Sequence, residues 1–256
     1  MITDPIFYLF AIPAVLCFGM AKGGMGGGVA LVSVPLIAMV LPPLQAAAVL
    51  LPVLLVMDVV AIWSFRGKFH WRSLQIMLPG ALLGILIGTF TFRYLSEDAI
   101  RILIAIISLV FAGNYYIQVL IHKREPPTAR DSLVRGSFWG AVGGFTSFGI
   151  HAGGPPINVY MLPLRLERKL LMGTLALFFG VVNLVKVAPY LWLGQLDSST
   201  FVTSLALMPI APFGVRLGYY LLHRVTDNFI YQISYLFLIV IGIKLMYEGV
   251  SGILSS

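Results

Sequence analysis

Charge is scarce in this sequence, and negative charge most of all. Charged residues make up 11% of the 256 residues, and only 10 are Asp or Glu, whereas soluble domains carry about 25%. Long uncharged runs occupy positions 74–92, 102–121, 169–194 apart from Lys169 and Lys186, and 229–243. Each reaches or approaches the ~20 residues with which a helix crosses a bilayer. Because the runs are continuous and do not alternate with polar residues, they predict an all-α integral membrane protein and not a β-barrel.

Cysteine and the common catalytic motifs are also missing. The single cysteine, Cys17, excludes a redox pair and a cysteine-ligated metal, and His122 and His223 lack metal-ligand spacing. The sequence has no P-loop, no Gly-x-Ser-x-Gly, no His-Glu-x-x-His and no paired carboxylates within a span. We therefore expect no cofactor, no bound metal and no enzymatic activity. The net charge of +7 does not predict nucleic-acid binding, because excess Lys and Arg in a membrane protein mark cytoplasmic loops.

The sequence divides into two similar halves. Positions 78–100, "LPGALLGILIGTFTFRYLSEDAI", align without a gap with positions 208–230, "MPIAPFGVRLGYYLLHRVTDNFI". In a weaker match Asp58 falls opposite Asn183, and each half opens with a glycine-rich stretch. An internal duplication explains this and is typical of transporters. We predict one transporter domain over 1–256, with repeat one at 5–121, a polar cytoplasmic connector at 122–135, and repeat two at 136–250.

The distribution of Lys and Arg predicts how the halves are oriented. If each glycine-broken segment crossed the membrane once, the Lys and Arg outside the membrane would divide eight against six. That difference is too small to predict the orientation of the protein. If each segment enters and returns to its own side, eleven lie on one side (66, 68, 72, 123, 124, 130, 135, 165, 168, 169 and 224) and three on the other (93, 101 and 244). The positive-inside rule favours the second arrangement. We therefore predict two inverted repeats, each a glycine-broken helical hairpin followed by three transmembrane helices.

The sequence also predicts where the two ends of the chain lie. Both termini are predicted outside the cell, in a multi-pass protein of the cytoplasmic membrane. The first apolar segment, 1–19, carries only Asp4 and lacks the positive start of a signal peptide, so we interpret it as the first membrane segment. The first broken segment, 5–41, fits either a re-entrant hairpin or two full spans.

The glycine-rich stretches predict the substrate site. "KGGMGGG" (22–28) places five glycines in six positions beside Lys22, and glycine lets backbone N–H groups approach an anion closely. Irregular backbone is tolerated at membrane depth where it lines a cavity, as in the broken helices of transporters. In the second half His151 and Asn158 supply donors. Close helix packing explains the glycines at 80/84/88, 136/140/144 and 214/218 better, and it is the alternative for 23–28. The predicted substrate-binding residues are Lys22, Gly23, Gly24, Gly26, Gly27, Gly28, His151, Gly153, Gly154, Asn158, Asn183 and Lys186.

Ionisable residues inside spans are further candidates. Asp58 is too deep and too short to reach an interface, so it is an ion-pair partner for Lys22 or Lys186, a proton carrier, or part of a cavity wall. We assign it proton coupling, with H⁺ as the coupling ion. Lys186 shares a helix face with Asn183, although Lys186 and Arg216 can also snorkel to an interface. Three intramembrane cations against one anion favour a small anionic substrate.

With these features the chain resembles the TauE/SafE family of membrane permeases, which includes sulfite and sulfonate exporters. The resemblance covers essentially the full length and rests on the duplicated halves, each opening with a glycine-rich element (19–28 and 143–156) and a proline-containing continuation. It implies ion-coupled transport of small sulfur-containing or organic anions across the prokaryotic cytoplasmic membrane. The second half has His151 and no lysine matching Lys22, so we do not expect the halves to contribute equally to the site.

The sequence thus predicts a secondary transporter, most simply an exporter, of a small anion such as sulfite or an organosulfonate. It would work by alternating access around a midplane site where the two hairpin tips converge. Without a nucleotide motif, energy must come from an ion gradient or a separate subunit. Three alternatives stay open: a passive anion channel, an intramembrane enzyme using His151 and Asp58 as acid and base, and a sensor or assembly subunit.

Overall fold

The chain folds entirely into helices in the part that the structure describes. The computed structural model describes residues 2–25, 27–117, 129–221 and 227–255. Six of its helices are long and apolar enough to cross a membrane, and the bent pair α10–α11 makes up to seven. The prediction of an all-α, multi-pass membrane protein is therefore confirmed. The helices are α1 (Pro5–Met20), α2 (Gly27–Ala30), α3 (Ser33–Ala38), α4 (Pro43–Ser64), α5 (Trp71–Tyr94), α6 (Glu97–Ile117), α7 (Leu133–Ile150), α8 (Gly154–Met161), α9 (Arg168–Trp192), α10 (Ser198–Leu207), α11 (Ile210–Leu221) and α12 (Asp227–Ser255).

The first broken segment is a hairpin, which we call hairpin one. Helix α1 leads into an irregular turn, Ala21–Met25, and the short helices α2 and α3 then return beside α1. The Ser33 hydroxyl donates to the carbonyl oxygen of Ala14 at 2.8 Å and joins the two arms. Gly24 has a φ of 124°, which glycine adopts far more readily than any residue with a Cβ. With return helices of 4 and 6 residues, the segment does not form two full spans.

The second broken segment, hairpin two, starts and ends on one face of the protein. Helix α7 ends at a tip, His151–Gly153, and α8 returns as an 8-residue helix with a proline in its first turn. The Ala129 amide donates to Pro163 O at 2.9 Å, and the Tyr160 hydroxyl donates to Asp131 Oδ1 at 2.8 Å. These bonds join the beginning of the hairpin to its end. Positions 122–128 of the predicted connector, 122–135, lie outside the described residues.

Three candidate membrane-crossing elements follow each hairpin, and α1 of hairpin one is a further candidate by length. Helices α4, α5 and α6 follow hairpin one, and α9, the pair α10–α11 bent by 44°, and α12 follow hairpin two. Helix α1 packs on α11 and α7 packs on α5, while α4 packs on α9 and α6 on α12. If each helix is replaced by its counterpart in the other half, the α1–α11 contact becomes the α7–α5 contact. The α4–α9 and α6–α12 contacts stay the same, because each joins two counterparts. The two predicted repeats therefore have matching element orders and matching helix contacts.

Glycines let the hairpins approach their partner helices closely. A Cβ at Gly84 would overlap the Ala141 backbone, and a Cβ at Gly140 would overlap Met77 O. On the other side a Cβ at Gly214 would lie 3.0 Å from Gly19 Cα. These contacts between α5 and α7 and between α1 and α11 agree with the packing interpretation of the spaced glycines.

The helices differ in how deeply they are buried. Helix α4 lies at the centre and is buried without interruption from Ala46 to Leu54. Helix α5 instead exposes large apolar side chains on one face, and these suit contact with lipid acyl chains; they include Leu82, Leu83, Leu86, Ile87 and Phe90. Arg216 is exposed on α11, so it does not belong to the interior, in agreement with the snorkelling alternative.

Candidate functional site

A cavity of about 60 Å³ lies between the two hairpin tips and α9. At roughly 15 Å³ for each water, it has room for about four waters or one small anion. Its polar lining comes from both hairpins and from α9, namely Lys22, Ser147, His151, Asn158 and Asn183. Its apolar lining comes mainly from α1 and α9 and includes Phe18, Met172, Leu175, Ala176 and Phe179.

Lys22, at the tip of hairpin one, forms a buried ion pair with Asp58 of α4. Their side chains are 9% and 3% exposed, and the Lys22 ammonium donates to Asp58 Oδ1. Asp58 Oδ2 accepts from Asn183 Nδ2 at 2.6 Å, so both carboxylate oxygens are bonded. The rings of Phe18 and Phe179 lie 5.8 and 5.9 Å from Lys22 Nζ, within cation–π range. Within the described residues only one of the three ammonium protons has an acceptor, so two remain for a ligand.

Lys186 is the second buried cation, and it lies behind the cavity wall. It is 0% exposed and donates to Ser147 O at 2.9 Å, to Ser147 Oγ at 3.1 Å and to His151 Nδ1 at 2.6 Å. All three of its protons are therefore used within the protein. A cation beside carbonyls of the last helical turn is favourable, and Ser147 lies in the last turn of α7. The sequence predicted Lys186 to bind the substrate, but its partners hold it against the tip of hairpin two, and it is not among the described lining residues.

His151 ends α7 in the left-handed conformation, with a φ of 53°. Its Nε2 lies 2.9 Å from Ala47 O, and because a carbonyl can only accept, Nε2 carries the proton. Nδ1 then accepts from Lys186. Both ring nitrogens are engaged by the protein, so His151 lines the cavity but does not offer it a free N–H, contrary to the donor role expected from the sequence.

The start of α8 supplies donors that have no acceptor in the described parts of the chain. The Asn158 side-chain amide lines the cavity and makes no hydrogen bond there, and the Gly154 amide at the first helical position makes none either. Pro155 and Pro156 follow it and have no N–H. Gly153 is buried, and a Cβ there would lie 2.7 Å from Gly143 O. The donors of lining residues that have no acceptor for some or all of their protons in the described residues thus include the Lys22 ammonium, the Asn158 amide and the Gly154 N–H.

The glycines of hairpin one contribute shape more than lining. A Cβ at Gly23 would overlap Val215 O, so Gly23 packs on α11, and Gly24 forms the turn at the tip. Neither is among the lining residues that the structure describes. Gly27 and Gly28 begin α2, and Gly26 lies outside the described residues. The sequence predicted that the backbone of Gly23–Gly28 binds the anion. At the first two of these positions, Gly23 and Gly24, the structure shows no contact with the cavity.

Eight lining residues were not predicted from the sequence, and three of them contact the buried cations, namely Phe18, Phe179 and Ser147. Ser147 precedes His151 by one helical turn, and this spacing was the only available signal. The aromatic pair has none, because apolar residues dominate the surrounding runs.

The interior around the cavity has more positive than negative charge. Among buried side chains in the described residues, the charged groups here are Lys22, Lys186 and Asp58, which give a net charge of +1 when all three are ionised. Charge interactions are strong away from water, so this surplus favours an anion. No group of three or more His, Cys, Asp or Glu suited to a metal occurs in that part of the chain.

The cavity is closed toward the end of α9. Tyr190, Phe148 and Phe92 pack together there, with ring centroids 5.1 and 5.7 Å apart along the series, and all three are buried. The Tyr190 hydroxyl donates to Phe148 O. Toward the start of α9 the lining side chains Met172 and Asn158 are only half-buried. The cavity therefore extends toward the face where α9 begins.

Comparison with known proteins identifies the family. The family model described as Sulfite exporter TauE/SafE matches residues 11–245. No curated protein and no solved structure matches the chain. Because the family match covers most of the chain, the protein belongs to the TauE/SafE family of membrane transporters, and the expectations of a transporter and of no enzymatic activity are confirmed.

Proposed function

We propose that this TauE/SafE transporter carries a small oxyanion, such as sulfite or an organosulfonate, by alternating access through the cavity between the hairpin tips. The observation that carries the proposal is the set of unused donors on Lys22, Asn158 and Gly154 around a cavity with a surplus of positive charge. An oxyanion with several acceptor oxygens matches donors that converge from two hairpins. The volume of about 60 Å³ suits sulfite or the sulfonate head of a larger anion.

The proposed architecture is a pair of inverted repeats with both termini outside. Supporting it, Ile2 N–H donates to Thr203 Oγ1 of α10, and Leu41 and Ser255 line one surface cleft. Leu51, early in α4, and Leu191, late in α9, line another. From these contacts we infer that both chain ends lie on the face where α4 begins. The opposite face bears most Lys and Arg and would be cytoplasmic.

In this orientation the described conformation faces inward. The cavity extends toward the start of α9, beside Arg168 and Lys169, and the three aromatic rings seal it on the outer side. Transport then requires the Phe92–Phe148–Tyr190 packing to separate while the inner side closes. The closely packed pairs α5–α7 and α1–α11 suggest that each hairpin moves together with its partner helix.

Asp58 is the proposed proton-coupling residue because it competes with the anion for Lys22. When ionised it holds one of the three Lys22 ammonium protons, offsets the charge of Lys22 and repels an incoming anion. Protonation removes both effects, so proton binding and anion binding favour each other. A dianion accompanied by one proton still carries net negative charge outward, and the inside-negative membrane potential supplies about 2.3 kcal/mol per 100 mV for that movement. Export is therefore the favoured direction.

The test is ligand-induced thermal stabilisation of the purified protein. A ligand that binds only the folded state stabilises it by about 2.7 kcal/mol at 100 times its Kd. Sulfite, sulfate, sulfoacetate, taurine, thiosulfate and neutral analogues form the panel. We expect at least one small anion to raise the unfolding temperature, and neutral analogues to have no effect.

The matched variant removes the ion pair as a unit. Replacing Lys22 alone leaves Asp58 as an uncompensated buried charge, which costs about 3–5 kcal/mol. The double variant Lys22→Met with Asp58→Asn avoids this cost and should fold yet lose the anion response. Arg216→Gln, which removes an exposed cation, should keep it. Stabilisation by a neutral or cationic compound in place of an anion would contradict the proposal.

A further inference from the structure

We propose that Lys186 and His151 form a shared proton site whose occupancy is linked to anion binding in the adjacent cavity. The inference rests on the proposed function and adds a second proton site to Asp58. Lys186 Nζ and His151 Nδ1 are 2.6 Å apart, and the two residues are 0% and 5% exposed. His151 lines the cavity and Lys186 lies directly behind it.

The hydrogen bonds determine how many protons the pair can hold. The bond to Ala47 O keeps a proton on His151 Nε2, so Nδ1 is the ring atom that can gain or lose one. The shared proton lies either on Lys186 Nζ, beside a neutral imidazole, or on Nδ1, beside a neutral amine. Both states carry one positive charge. A further proton would place two cations in contact inside a buried site, which like-charge repulsion and desolvation both oppose.

The charge on this pair has no carboxylate partner of its own in the described residues. The charged groups that face it are Lys22 from hairpin one and Asp58 from α4, and Asp58 is already bonded to Lys22 and Asn183. Ser147, from α7, is neutral. Tyr190, one turn along α9 and the remaining titratable neighbour, donates to Phe148 O.

An anion in the cavity supplies the missing counter-charge. With the anion bound, the positively charged pair has a negative neighbour and retains its proton. Without it, the pair has only neutral acceptors and the Lys22–Asp58 ion pair as neighbours, and Asp58 is already bonded to Lys22 and Asn183, so proton release is favoured. By linkage, anion binding takes up part of a proton at this site, and protonation of the pair raises anion affinity by the same factor.

Counting protons during sulfite binding tests the proposal. Calorimetric titrations in buffers of different ionisation enthalpy, at one alkaline pH, give the number of protons taken up for each sulfite bound. The wild type is compared with Lys186→Arg, whose guanidinium stays charged, and with His151→Asn. Asparagine does not titrate and tolerates the left-handed backbone conformation of this position. Protonation of sulfite itself and of Asp58 is common to all three proteins, so the difference between them isolates the pair.

We expect both variants to bind sulfite with fewer protons taken up than the wild type, and with a weaker dependence of affinity on pH. The Arg216→Gln control should match the wild type. Equal proton uptake in the wild type and both variants would overturn the shared site and leave the proposed function intact. No sulfite binding by the wild type would contradict the linkage and its premise together. If Lys186→Arg does not fold, His151→Asn decides the question alone, because its smaller side chain avoids overpacking.

Discussion

Replacing Asp58 by Asn should tighten anion binding while it destabilises the empty protein. In the wild type an anion must share the Lys22 ammonium with a carboxylate that is 3% exposed. Asparagine keeps an oxygen that can accept from Asn183, so the local geometry is preserved and only the charge is lost. Breaking a buried pair from one side costs about 3–5 kcal/mol. We therefore expect the empty variant to lose about 3 kcal/mol of stability, because Lys22 is left unpaired.

In the Asp58→Asn variant the bound anion becomes the partner of Lys22, so the free energy lost by the empty protein is regained on binding. At about 1.4 kcal/mol for each tenfold change, release of Lys22 corresponds to an affinity roughly 100-fold higher for the anion that stabilises the wild type. Calorimetric Kd values and thermal unfolding of the empty and loaded proteins measure both effects. The control is Glu248→Gln, which breaks a half-exposed pair with Lys244 and should change stability by less than about 1 kcal/mol. An unchanged or weaker Kd in Asp58→Asn would refute the competition between Asp58 and the anion.

Two further predictions concern packing and topology. Gly140→Ala should destabilise the protein by about 1–3 kcal/mol through overpacking against α5, whereas Gly113→Ala, which faces open space, should be neutral or gain up to about 1 kcal/mol from helix propensity; equal unfolding temperatures for the two variants would contradict the packing account. Cysteines placed at Ser96 and Ser198 should react with a membrane-impermeant reagent in intact cells, and one at Ser132 should not. Labelling at position 132 would overturn the predicted orientation.

Much of the site was predictable because charge inside an apolar run is so uncommon. Lys22 and Asp58 stand out for that reason alone, and the structure pairs them. The repeat alignment placed Asn183 opposite Asp58, and the two side chains are hydrogen-bonded. The broken first segment was also evident from its glycines, although its length alone left two arrangements open.

The remaining features depend on contacts between distant parts of the chain. Gly23 and Gly24 look alike in the sequence, but α11 passes against one while the other turns the chain. His151 has no ring N–H for a ligand because Ala47, 104 positions away, and Lys186 occupy its nitrogens. Neither the spacing nor the composition of the sequence contains that information. Which donors are free for a ligand is determined by these tertiary contacts.

The most direct test of the central claim is sulfite flux into proteoliposomes that contain the purified protein. With a membrane potential positive on the lumen side, we predict uptake of labelled sulfite that saturates with concentration, accumulates sulfite in the lumen above its external concentration, and accelerates when the external pH is lowered. The Lys22→Met, Asp58→Asn double variant should abolish this uptake, and the Arg216→Gln variant should not. Flux that rises in proportion to concentration would indicate a channel. Flux that is unchanged in the double variant would contradict the assignment of the site.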